Sequence, residues 1–140
     1  MPDVGVALPP VFAPDVLAVD CPSRPILNHL TSRWGVLVLI VLRAEGRMRF
    51  SALRRRIGGV SERMLAQTLQ ILEADGFVIR RAFDVVPPHV EYHLSPLGQE
   101  AAERVQGLVD WIEANLSQIL AARPDAGPIA AHDDESNPAL

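Results

Sequence analysis

RAEGRMRFSALRRRIGGVSERMLAQTLQILEADGFVIRRAFDVVPPHVEYHLSPL, residues 43–97, decides the fold. Within it, Ser51 to Ile57 sets Leu53 and Ile57 one helical turn apart, and Gly58-Gly59 then breaks the helix. Ser61 is an N-cap for a second helix, Glu62 to Asp75, whose Leu65, Leu69 and Leu72 form one stripe and which Gly76 stops. Two β-rich runs follow, Phe77 to Phe83 and Val90 to Ser95, joined by DVVPPH. Pro87 and Pro88 have no N–H to give to a β-ladder, so they belong in the loop. Upstream, Arg47 to Phe50 is long enough for one short strand.

Helix, turn, helix and hairpin in this order predict a winged helix-turn-helix, mainly α with a small β-hairpin wing, and double-stranded DNA as its partner. Charge agrees. Residues 43–81 carry nine Arg against four acids, a net of +5, whereas the rest of the chain carries four Arg against thirteen acids. The acidic balance of the whole chain therefore conceals a basic segment, and that segment is what bears on nucleic acid. Lys is absent, so every basic side chain is a guanidinium, suited to bidentate contact with phosphate or guanine.

Outward from this segment, Pro22 to Thr31 offers a short helix, and Trp34 to Ala44 is apolar on nearly all sides, as a central buried helix requires. Ser95-Pro96 starts a long helix, with Ser as cap and Pro as first residue. Its apolar positions, Leu97, Ala101, Val105, Leu108, Ile112, Leu116 and Ile119, outrun one small core. Two-fold pairing would bury the excess, which predicts a homodimer with Leu108, Trp111, Ile112, Leu116 and Ile119 in the interface. Gly107 sits inside this helix, either where two backbones approach or as a tolerated exposed residue. The expected organisation is an extended arm at 1–20, a winged domain with its dimerisation helix at 21–122, and a disordered tail at 123–140.

On the second helix of the motif, the side opposite the leucines shows Arg63, Ala66, Gln67 and Gln70. Arg63 can hold guanine O6 and N7, and Gln67 and Gln70 can hold adenine N6 and N7. Ser61 and the free N–H groups beside it suit a phosphate, while Met64 and Thr68 could touch a thymine methyl or pack inside. Arg54, Arg55 and Arg56 fan round their helix, so one or two of them, with Arg54 and Arg55 preferred, serve as phosphate clamps. Arg80 and Arg81 alternate faces on a strand, so at most one follows His89 towards the minor groove or the backbone.

CPSRPILNHLTSRW, RFSALRRRIGGVSERMLAQTLQILEADGFVIRR and VPPHVEYHLSPLG, spread over residues 21–120, resemble the HxlR-type branch of winged-helix bacterial transcriptional regulators, relatives of the MarR group. The resemblance implies a dimeric repressor or activator on a pseudo-palindromic operator, paired through its first and last helices. It also implies a sensing thiol at Cys21, since members that detect oxidants or electrophiles carry a cysteine there. The chain departs from the family at Thr31-Ser32-Arg33, where Gly-Gly-Lys is common, and at Thr68 and Gln70, where Arg is common. The first departure bears on a turn, and the second removes positive charge from the reading helix.

Cys21 precedes a helix start, with Arg24 three residues on, and both dipole and guanidinium would favour thiolate. The other reading is a small side chain packed in the dimer interface. One cysteine excludes an intramolecular disulfide and a multi-thiolate metal site within the chain. His89 and His93 share a strand face without a third ligand nearby, so neither a metal nor a cofactor is expected. No motif of nucleotide binding or nucleophilic catalysis is present, which argues against an enzyme. The longest apolar run, Trp34 to Leu42, is nine residues, too short for a membrane, and a cytoplasmic location is expected. Two alternative functions remain: a winged-helix module for protein association, and a regulator answering a small-molecule ligand in a pocket near Trp34 and Trp111.

Overall fold

The computed structural model describes residues 13–123, so the expectations for the arm and tail at 1–12 and 124–140 lie outside the described residues. The order is α1 (Ser23–Thr31), α2 (Arg33–Glu45), β1 (Met48–Arg49), α3 (Phe50–Arg56), α4 (Glu62–Ala74), β2 (Val78–Phe83), β3 (His89–Leu94), α5 (Pro96–Ala114) and α6 (Leu116–Ala121). An antiparallel sheet of order β1-β3-β2 pairs Met48 with Tyr92 and runs from Val78 opposite Leu94 to Phe83 opposite His89.

The core forms around α2, which packs against α5, α4 and α1. Its Trp34, Val38, Leu39, Val41 and Leu42 are buried together with Leu53, Leu65, Leu69, Leu72, Val78, Leu94 and Val105. Apolar residues on nearly every side of α2 are what a helix surrounded by others requires. Ser32 caps it, with its Oγ accepting from the Gly35 N–H at 3.1 Å. At the family departure Thr31-Ser32-Arg33 the turn is therefore closed by a hydroxyl. No single helix among the described residues is long and apolar enough to cross a membrane.

The cap at Ser95 is as expected, whereas the strand ends and the length of the last helix differ from the sequence reading. Phe77 and Ser95 lie outside the strands: Ser95 caps α5, accepting from the Gly98 N–H at 2.9 Å and donating to the Gly76 carbonyl at 2.6 Å. Gly98 is needed at this joint, because a Cβ there would sit 2.0 Å from the Phe77 carbonyl oxygen. The expected single long helix is two. Asn115 leaves helical geometry (φ −110°, ψ 13°) and its Nδ2 donates to the Trp111 carbonyl at 2.9 Å. An Asn amide competes for backbone groups in this way, and the break follows although the apolar spacing runs through it.

Candidate nucleic-acid interface

α4 is the element on which the candidate interface is built. Ser61 starts it, its Oγ accepting from the Met64 N–H at 3.1 Å, and Glu62 places an acid in the first turn, where the helix dipole favours one. Leu65, Leu69 and Leu72 are fully buried. At roughly 1.5–3 kcal/mol for each buried side chain, these three fix which face of α4 meets the body and which meets solvent. Thr68 joins the buried side, 8% exposed and donating to the Met64 carbonyl at 2.8 Å, so of its two expected roles it takes the packing one. Met64 is half-buried against the core.

Away from the core, Arg63 and Gln70 are exposed and Gln67 is half-exposed, at i, i+4 and i+7 along one line of the helix. Ala66, also exposed, leaves room beside them. Among the described residues the side chains of Arg63, Arg55 and Arg80 make no ion pair, hydrogen bond or ring contact. Arg54 and Arg56 are engaged. Arg54 Nε donates to the Val60 carbonyl at 3.4 Å and its Nη1 stands 3.7 Å from Glu62, so it braces the turn between α3 and α4. Arg56 stands 3.5 Å from Glu45. Between α3 and α4 lies an open hollow of about 340 Å³ lined by Ser51, Arg54, Arg55, Gly58 and Gly59.

In the wing, Arg80 stands opposite Tyr92 and Arg81 opposite Glu91, so the two point to opposite sides of the hairpin. Arg81 lies 5.2 Å from the centre of the Phe83 ring. His89, expected to reach towards the duplex, is turned onto the hairpin instead. Its ring stacks on Phe83 at 4.8 Å, and Nε2 bonds to Glu91 at 3.0 Å. The tip residue Val86 is almost wholly exposed.

Cys21 is 6% exposed, just before α1. Its pKa is lowered, first by the Ser23 hydroxyl 3.3 Å away and then by the Asp15 backbone N–H at 3.3 Å, with burial and the Asp15 carboxylate opposing. The direction is that expected from the sequence, but the cause is local hydrogen bonding and not Arg24. Trp34 and Trp111 do not share surroundings: Trp34 is in the core beside Gly59, whereas Trp111 is 58% exposed. Leu108, Ile112 and Leu116 are exposed with Trp111, and Ile119 is half-buried. Leu120, Ile26 and Leu27 are exposed apolar residues as well.

The uncharacterized HTH-type transcriptional regulator YtfH of Escherichia coli (strain K12) is 61% identical over 111 residues, covering 79% of this chain and 87% of its own length. The solved structure of YtfH from Salmonella typhimurium is 58% identical and superposes with a TM-score of 0.75, over 79% of this chain and 98% of that one. The redox regulator HypR in its reduced form, 31% identical, superposes with a TM-score of 0.65 over 71% of this chain and 98% of its own. Residues 29–120 match the profile of the HxlR-like helix-turn-helix. With that match and these relatives, the chain belongs to the HxlR-like helix-turn-helix family of transcriptional regulators.

Proposed function

We propose that the chain regulates transcription as a homodimer that binds a pseudo-palindromic operator, with α4 in the major groove. The observation that carries this reading is the line Arg63, Gln67, Gln70 on the solvent face of α4, together with the unengaged Arg55 on α3 and Arg80 on β2. An Arg and two amides offer hydrogen bonds to base edges, whereas flanking guanidinium groups supply sequence-independent attraction to phosphate. The Ser61 hydroxyl and the N–H groups of the first turn of α4 add a phosphate contact. Arg54 holds the turn that sets α3 against α4 and leaves the clamping role chiefly to Arg55. The dimer forms through the exposed apolar residues of α5 and α6, Leu108, Trp111, Ile112 and Leu116, with Ile119 beside them.

In vitro selection from a random duplex library tests this reading. Enrichment of an inverted repeat with half-site centres about 34 Å apart supports it; an unenriched pool, with binding indifferent to sequence, overturns it and favours a protein-association module.

A redox switch at Cys21 is the second part of the proposal, supported by the lowered thiol pKa and by the likeness to the redox regulator HypR. Diamide, reduced to its hydrazine as the Cys21 thiols of two protomers join in a disulfide, should release the selected duplex from the wild-type chain and not from Cys21→Ser. Equal release from both proteins would sink the switch and leave the DNA-binding reading standing.

A further inference from the structure

One polar contact reaches α4 from an element distant in sequence. His29, in the last turn of α1, has its Nδ1 2.6 Å from Asp75 Oδ2, across a separation of 46 residues. Asp75 is the C-cap of α4. A carboxylate there adds negative charge where the helix's last carbonyls already concentrate it, so a hydrogen-bond donor at that spot is worth more than one on an ordinary surface.

The donor is held from behind. Ser32 Oγ donates to the His29 carbonyl at 3.1 Å, and Gly35 of α2 comes so close that a Cβ on it would stand 2.3 Å from that carbonyl oxygen. The backbone of His29 is thus pinned to the start of α2. The rest of α1 is only partly covered: Leu30 packs against the core, no residue of the helix is fully buried, and Ile26 and Leu27 are exposed. On the acceptor side, the chain after Asp75 is a hub. Phe77 N–H donates to the Leu72 carbonyl at 3.0 Å, Ser95 Oγ donates to the Gly76 carbonyl, and β2 begins at Val78. The end of α4, the root of the wing and the start of α5 therefore meet one bond away from α1.

We propose that His29 and Asp75 are a positioning pair through which α1 sets the seat of α4, and with it the root of the wing, for DNA reading. Neither residue lies on the line of Arg63, Gln67 and Gln70, so the pair acts through α4 and touches no base. The inference rests on α4 being the reading helix.

The test compares affinity for the selected duplex with affinity for random duplex of equal length, in the full chain, alongside thermal unfolding. His29→Ala and Asp75→Ala should each lower the selected-over-random ratio roughly tenfold, the equivalent of about 1.4 kcal/mol, while random-duplex binding stays nearly unchanged. The double variant should lose no more than either single one. His29→Asn, whose amide nitrogen can take the place of Nδ1, should recover most of the ratio. If the alanine variants fold poorly, His29→Phe, which keeps a ring and loses the donor, replaces them and should lower the ratio to the same extent. An unchanged ratio, or selected and random binding falling together in step with thermal stability, or no rescue by His29→Asn, overturns the pair. Arg63→Ala separates the two levels: if it leaves the ratio intact, the reading by α4 has failed; if it lowers the ratio while His29→Ala does not, only the positioning pair has.

Discussion

Arg63 and Arg55 are both exposed guanidinium groups, and what distinguishes them is where the fold puts them. Arg63 shares a line with two amides on α4, and Arg55 sits beside a hollow on α3. Arg63→Ala should cost about 1–3 kcal/mol on the selected duplex and relax selectivity at one base position. Arg55→Ala should weaken every duplex alike and flatten the salt dependence by about one phosphate. Gel-shift titrations on selected and random duplexes check both. Cys21 carries a second prediction at this scale. The Ser23 hydroxyl is the main cause of its lowered pKa, so Ser23→Ala should move the pH profile of alkylation upward and slow labelling at neutral pH. Because the folded-state pKa lies below the unfolded one, the thiolate favours folding at high pH and stops doing so as pH falls through the folded-state value.

Between elements, the joints matter more than the elements themselves. Gly98 allows α5 to start against the turn that ends α4, and a methyl group 2.0 Å from the Phe77 carbonyl oxygen must push the backbone aside. Gly98→Ala should therefore lower stability by about 1–3 kcal/mol, read as a drop in thermal midpoint. These joints also mark the limit of what the sequence shows. α4 was legible nearly to the residue, because a cap at Ser61, a leucine stripe and a stop at Gly76 agree with one another. α5 was legible at its start and not at its end, since Asn115 breaks the helix by a side-chain bond to Trp111 that leaves the apolar period intact. The exposed faces of Arg63 and Gln70 followed from helical geometry alone. His89 turning onto Phe83 and Glu91, Arg54 bracing the turn at Val60, and His29 meeting Asp75 each depend on a side chain's choice of partner across space, which no spacing along the chain encodes.

For the whole molecule, the surface that remains among the described residues is apolar along α5 and α6 and basic where α3, α4 and the wing lie. Trp111, Leu108 and Leu116 stay exposed in the single chain, an arrangement stable proteins seldom leave uncovered. Trp111→Arg should leave thermal folding of the protomer nearly unchanged while shifting sedimentation from dimer towards monomer, and operator affinity should fall with it because two half-sites are no longer bound together. Salt titration of binding to the selected duplex, wild type against Arg63→Ala, puts a reading helix set among phosphate-seeking arginines to its sharpest test. Wild type should show log affinity falling with log salt by about 0.9 for each phosphate neutralised, and Arg63→Ala should bind the selected duplex more weakly at every salt concentration while matching wild type on random duplex. A flat salt response, or equal affinity of the two proteins for the selected duplex, would contradict it.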